Sequence, residues 1–478
     1  MIIRSIGLMT VINILKGAVS LLLSFYVAKA VSPAEFGLIA FAIPLAALIT
    51  LLTDLGIANA IVRERSLSKA QSGSALVMML AFGLVGGGTL ALLATPIQWA
   101  SGLPGVHDVV LGFAVVACFS VWATCPRALV ERELQYSTIS AVELTALLAG
   151  TGGFFFALHA GWGVFALVAF HVILQCIRSL VFLWCARGLF TWVLVPRGIK
   201  PLLQTGGWIF ASNLLSYASR NLDRFIIAAN LGAAAVGLYG FAYQFMTVPL
   251  VLLAWPASGV LMSTLSRLND DIESKKKVVE GFLAITAAAV FPMMASIAFL
   301  SSYPLQSFLS DKWLGVDHYI ALLAPLGAAQ ALAVYASATL VADGRMVLNF
   351  RLSLLNGLII PIGFLVSAPF GLSVSVSSYL LLNSIVCGLM IYYMCSTTNI
   401  SARNFIELLL PGILATIVVV LVNLMPIRST DSAKTDWVIL TSASVFGVFV
   451  SIIIFRARLI SHYVVLKSLR LAKANAAS

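Results

Sequence analysis

The chain has 478 residues, 61% of them hydrophobic and only 10% charged, with a mean hydropathy of +1.03 and a formal net charge of +11. Soluble domains are about 45–50% apolar, so this composition excludes a water-soluble globular protein and indicates one that resides in a bilayer. A basic excess of this size also suits a nucleic-acid binder, but the placement of the charges excludes that reading.

A helix crossing the hydrocarbon core needs about 20 apolar residues, and breaks rich in Gly, Pro and charge divide the chain into segments of roughly that length. In chain order the predicted spans are 7–30, 36–61, 73–95, 109–126, 138–158 and 163–184, then 205–229, 236–263, 279–302, 319–341, 352–370 and 373–395, and finally 405–425 and 437–455, fourteen in all. With the N-terminus inside, 21 of the 29 Lys and Arg residues fall on the cytoplasmic face, while Lys29, Lys312, Arg428 and Lys434 fall outside and Lys16, Arg178, Arg220 and Arg224 lie within spans. Positive loop residues stay cytoplasmic, so the asymmetry supports both the even count and the direction, with both termini inside. The net charge therefore reflects topology, and no nucleic-acid partner is expected. The first helix lacks a small-residue cleavage site and is expected to stay as a start-transfer span. The six cysteines fall in or beside spans and read as small buried hydrophobes.

The chain repeats itself. Offset by 200, residues 7–45 match 207–245 at 12 of 39 positions, including Asn13, Gly37 and Phe41, where so biased a composition gives about three to five by chance. Six spans separate the copies, so both enter the membrane in the same direction, as parallel repeats do. The expected fold is an all-α polytopic membrane protein of about 14 transmembrane helices. It comprises an N-lobe (1–200), a C-lobe (201–400), two further helices (401–455) and a cytoplasmic basic tail (456–478). In that tail Lys467, Arg470 and Lys473 recur at helical spacing beside an apolar face, a pattern that lies on anionic inner-leaflet lipid.

"VSPAEFGLIAFAIPLAALITLLTDLGIANAIVRE" (31–64) and "SNLLSYASRNLDRFIIAANLGAAAVGLYGFAYQF" (212–245) resemble the openings of the two lobes of bacterial Wzx-type polysaccharide flippases. The first shows that family's P-x-x-F/Y-G turn and D-L-G, and the second its D-R and G-x-Y. The resemblance is clearest over about 1–65 and 200–265. It implies the MOP superfamily, which also holds drug-extruding MATE proteins and lipid II flippases. It further implies transport of an undecaprenyl-diphosphate-linked oligosaccharide from the inner to the outer leaflet, in a bacterial inner membrane. A polysaccharide polymerase is a partner such a protein would serve.

Charge inside a membrane costs at least about 2.5 kcal/mol per group on insertion scales, so polar residues within spans are functional candidates. Asn213, Tyr217, Arg220 and Arg224 fall on one face of the seventh span, beside Asp223, and Asn13 and Lys16 form a weaker stripe in the first. Guanidinium forks suit phosphate, and amides and hydroxyls suit sugars, so these six are the candidate substrate-binding residues. A structural brace of Arg220, Asp223 and Arg224 is the open alternative. Asp54, near the inner end of the second span, is a candidate for coupling or charge balance, as is Asp223; capping, or pairing with Arg63 or Arg65, is equally open for Asp54. Glu143 and Glu407 read as interface residues near cytoplasmic helix ends. Gly37 and Gly237 are either pivots of the outward mouth or points of tight helix packing.

No catalytic residues are predicted. The longest outer loop, 303–318, offers only Asp311, Asp317 and His318 without a constellation. The five histidines are scattered, so no metal site or cofactor is expected, and no Walker motif is present. The expected activity is alternating-access transport, with coupling to H⁺ or Na⁺ left open. A cation-coupled drug or metabolite antiporter and a lipid II flippase are the alternatives of the same fold.

Overall fold

The computed structural model describes residues 2–64, 67–193, 200–268, 271–301, 305 and 309–424. Among these every regular element is helical. In chain order they are α1 (Ile2–Ala28), α2 (Pro33–Asp54), α3 (Ile57–Arg63), α4 (Lys69–Leu92), α5 (Ala94–Ser101), α6 (Val106–Arg132), α7 (Tyr136–His159), α8 (Phe165–Cys185) and the long α9 (Lys200–Pro249). After one π-helical turn come α10 (Trp255–Leu265), α11 (Ile272–Ser301), α12 (Val316–Ala342), α13 (Met346–Ser367), α14 (Leu372–Thr397) and α15 (Ala402–Leu424). Eleven helical stretches among the described residues are long and apolar enough to cross a membrane. Each of the first thirteen expected spans falls on a helix; the fourteenth and the basic tail lie outside the described residues. The chain is an all-helical, multi-pass membrane protein.

Local chemistry explains where these helices start and break. Ser32 opens α2 with a capping box, its hydroxyl accepting the Glu35 amide at 3.3 Å while the Glu35 carboxylate accepts the Ser32 amide at 2.7 Å, and Pro33 presets the first turn. Ser68 and Gln71 do the same for α4. The D-L-G motif was expected to lie within one helix. Instead Leu55 (φ 50°) and Gly56 (φ 75°) adopt the left-handed region and end α2, so the second span is the α2–α3 pair. Within α9, Gly232 at φ 80° and ψ −179° marks the break between the seventh and eighth spans, a conformation essentially reserved for glycine.

By packing, the chain divides into two compact units, Met1–Gly240 and Phe241–Ser478. The first unit carries α9 beyond the 200 boundary drawn from the repeat, because the start of the second copy packs on α2. In unit 1, α6 is central and contacts α2, α3, α4, α5, α7 and α8. In unit 2, α12 has the comparable place, against α10, α11, α13 and α14. Both are 27-residue helices that follow a left-handed glycine, Gly105 at φ 80° and Gly315 at φ 87°. The offset between the copies, 200 at the first two helices, is thus 210 here.

Hydrophobic burial gives little drive to associate helices in lipid, so close packing of small residues must hold them. In unit 1 a Cβ on Gly83 would meet the Trp122 ring at 2.5 Å, and one on Gly112 would meet Val168 at 2.3 Å. At the crossing of α2 and α9 a Cβ on Gly37 would fall 1.9 Å from the Ala233 oxygen and one on Gly237 1.8 Å from the Pro33 oxygen. These contacts are reciprocal, since Pro33 and Ala233 are themselves equivalent in the repeat. Of the two readings of these glycines, the geometry is that of tight packing.

Candidate functional site

Unit 1 holds a half-open cavity of about 780 Å³ between α2, α3, α6 and α8. Its polar lining includes Thr50, Asp54 and Asn59 from the α2–α3 segment, Arg127 from α6, and Gln175 and Arg178 from α8. Two guanidinium groups on spanning helices are costly, and the surrounding fold shows how they are tolerated.

Arg178 donates through Nε to Glu143 Oε1 at 2.9 Å and through Nη1 to Gln175 Oε1 at 3.2 Å. Lys16 donates through Nζ to the other oxygen of the same carboxylate, Glu143 Oε2, at 2.6 Å. One buried acid on α7, with a side chain only 7% exposed, therefore holds two cations from α1 and α8. Breaking such a pair leaves an uncompensated charge in a low dielectric, so the three side chains act as a unit. Glu143 is thus not the helix-end interface residue that its sequence position suggested. It sits two turns inside α7, which packs against α1 and α8. Glu407 does lie near a helix end, half-exposed and 3.1 Å from Arg403 Nε.

Arg127, expected on the cytoplasmic side of a span ending at 126, lies within α6, which runs on to Arg132. Its Nε is buried without a hydrogen-bond partner and stands 4.0 Å from Glu131 Oε2 on the next turn. It is within electrostatic range of Lys16, Glu143 and Arg178. Asp54 lines the same cavity, and its carboxylate accepts the Ala58 amide at 3.4 Å, capping α3 after the helix break.

The other predicted residues distribute as follows. Asn13 lies on α1, and its side chain is outside the described residues. On α9, Asn213 and Arg220 are exposed, while Tyr217 is half-buried and donates its hydroxyl to the Pro44 oxygen of α2 at 2.6 Å. Asp223 is buried and accepts the Tyr239 hydroxyl at 2.5 Å and the Arg224 amide at 2.9 Å. The surroundings of Asp223 are those of an internal anchor for the first half of α9. Lys16 and Asp54 are thus the predicted residues found at or beside the unit 1 cavity, and Arg127, Glu143 and Arg178 are the residues that sequence reasoning missed there. A signal did exist for Arg178, a charge in mid-span, and its partner had to be one of the few intramembrane acids.

The comparisons with known proteins agree with this architecture. The family described as polysaccharide biosynthesis protein matches residues 26–317. The lipopolysaccharide biosynthesis protein WzxC of Escherichia coli (strain K12) is 22% identical over 368 residues, 77% of this chain and 75% of that one. The teichuronic acid biosynthesis protein TuaB of Bacillus subtilis (strain 168) is 25% identical over 232 residues, 46% of each chain. Among solved structures, the lipid II flippase MurJ in its inward closed conformation superimposes with a TM-score of 0.71 at 14% identity, covering 95% of this chain and 99% of that one. An inward-facing multidrug resistance MATE transporter of the MOP superfamily gives 0.61 at 14% identity, covering 81% and 96%. At these identities the structural likeness establishes a shared fold.

Proposed function

This chain belongs to the polysaccharide biosynthesis protein family, and from that membership and the chemistry of its cavity we propose that it is a flippase for lipid-linked oligosaccharides. Undecaprenyl-diphosphate-linked repeat units enter from the cytoplasmic leaflet, and alternating access exposes them on the opposite face for exopolysaccharide or lipopolysaccharide assembly. The names of WzxC and TuaB, both proteins of surface-glycan biosynthesis, support this reading.

The observation that carries it is the pair of guanidinium groups, Arg127 and Arg178, lining a cavity among spanning helices. Guanidinium is the side chain suited to forked recognition of phosphate oxygens, and Gln175, Asn59 and Thr50 supply amides and a hydroxyl for sugar. The lipid tail stays in the bilayer, so the cavity need hold only the head group. Lys16 belongs to this set through Glu143, and Asn213, Tyr217, Arg220 and Arg224 extend the path along α9, with Asp54 balancing charge. On this reading the protein is a transporter with no catalytic residues. It lies in the bacterial inner membrane with both termini cytoplasmic, hands its product to a polymerase, rests its basic tail on anionic lipid, and draws on H⁺ or Na⁺ for coupling.

The charge class of the substrate is the first point to test. Purified protein is incubated with undecaprenyl-diphosphate oligosaccharide, an uncharged polyprenyl glycoside and a lipophilic organic cation, and retained ligand is read by native mass spectrometry. The flippase reading requires the diphosphate to be retained and the cation not. Preference for the cation contradicts it and points to a drug antiporter on the same fold.

A further inference from the structure

Arg127 and Arg178 line the unit 1 cavity together with Asp54 and Glu131. Beside it Glu143 gives one oxygen to Lys16 and the other to Arg178. An entering diphosphate brings negative charge to a site where Lys16 and Arg178 are already engaged. It must therefore either bind weakly or take over a partner from a resident acid.

We propose that Glu143 is a built-in stand-in for the substrate's diphosphate, holding Arg178 on the cavity wall and Lys16 beside it and yielding both to phosphate oxygens when the head group enters. This rests on the reading of the cavity as a diphosphate path. The geometry supports it in three ways. Glu143 spreads its two oxygens over two cations from different helices, at 2.6 and 2.9 Å, as a bridging phosphate does. Arg178 spends Nε on Glu143 and one N–H of Nη1 on Gln175 while its side chain lines the cavity, so the rest of its five N–H donors remain for a ligand. Arg127, its buried Nε without a hydrogen bond, stands beside this pair as a second fork.

The exchange answers a physical problem. Two cations left bare inside a membrane are expensive, yet a transporter must present them to substrate in one state and keep them satisfied in the next. A mobile internal carboxylate lowers the cost of the empty state. It also weakens substrate binding enough to permit release. Glu143 is thus a positioning residue, acting on the substrate through the cations it holds.

Inorganic pyrophosphate is the probe, titrated calorimetrically into the purified full-length protein in detergent at fixed pH and salt, with thermal melts as a check on folding. Glu143→Gln removes the competing charge and keeps the shape, so it binds pyrophosphate about tenfold or more tighter than wild type, the worth of about one released charge-assisted hydrogen bond. Adding Arg178→Gln to that variant removes the gain. Glu143→Asp, one methylene shorter and unable to span both cations, falls between wild type and Glu143→Gln. A folded Glu143→Gln that binds pyrophosphate no better than wild type overturns the proposal and leaves Glu143 as a brace. If Glu143→Gln does not fold, Glu143→Asp decides by the same comparison. Failure of the flippase reading looks different, because the pyrophosphate affinities keep this order while no lipid-linked oligosaccharide crosses.

Discussion

Arg127 and Arg178 line the same cavity but are held differently, and substitution separates the two. Arg178 makes two hydrogen bonds and shares a buried acid, whereas the buried Nε of Arg127 makes none. Arg178→Ala is therefore expected to lose about 3–5 kcal/mol of stability, the usual cost of orphaning a buried partner. Arg127→Gln loses less than about 1 kcal/mol, its ion pair among the described residues being a partly exposed one at 4.0 Å. Both lower glycan translocation at least tenfold, so Arg127→Gln isolates transport from folding when melts and flux are measured together. Tyr239→Phe is the converse case. It removes the hydroxyl that the buried Asp223 accepts, costs about 1–3 kcal/mol, and reduces flux only in proportion to the folded protein lost. How much of the site was legible from sequence follows from the same residues. Lys16 stood out because a mid-span lysine has no interface to reach. Arg178 carried the same mid-span signal, but its link to Glu143 and Lys16 did not show, because it joins residues 35 and 127 positions apart on three helices, and no local spacing encodes it. Arg127 was not singled out because the predicted span ended at Pro126, whereas α6 runs on to Arg132.

At the scale of elements, glycines decide where helices cross and where they break. Gly37→Ala and Gly237→Ala each push a methyl into backbone oxygen, Ala233 or Pro33, at under 2 Å. Neither neighbour can rotate away, so each substitution destabilises by about 1–3 kcal/mol or forces α2 and α9 apart. Gly88→Ala on α4, where a Cβ meets nothing within 4 Å, is the matched control and leaves the melting temperature unchanged or raised. Gly232→Ala has equally open surroundings yet is expected to cost about 1–3 kcal/mol, because φ 80° with ψ −179° strains any residue with a side chain. Thermal melts of the four variants check the set. Element positions were well legible, since an apolar run of fixed length is the strongest signal a membrane sequence carries. The break at Leu55 and Gly56 was not, because the D-L-G lies within a run of span length and only the left-handed backbone reveals the break.

For the whole molecule, the distribution of Lys and Arg makes the orientation checkable. In a cysteine-free background, Gln135→Cys between α6 and α7 is expected to react with impermeant reagents only from the cytoplasmic side, and Trp162→Cys between α7 and α8 only from the opposite side. The reverse pattern would invert the direction of transport. The repeat explains why one chain opens twice with the same helix pair, and the two copies have diverged in charge. Unit 1 carries the ion cluster of Lys16, Glu143 and Arg178, while unit 2 has an uncharged network in which the Gln330 amide donates to Tyr379 Oη at 3.1 Å and Asn383 Oδ1 at 3.0 Å.

The central claim is that this protein moves a diphosphate-linked glycan through the cavity of unit 1. Its most direct test uses sealed vesicles holding the purified protein and an undecaprenyl-diphosphate oligosaccharide confined to one leaflet. The rate at which an impermeant glycan-cleaving enzyme gains access from the other side is followed with and without an H⁺ or Na⁺ gradient, for wild type and Arg127→Gln. Protein-dependent exposure, at least tenfold slower in Arg127→Gln and altered by one of the gradients, is the predicted result. No exposure by folded wild-type protein contradicts the flippase assignment, and equal exposure by Arg127→Gln contradicts the route through this cavity.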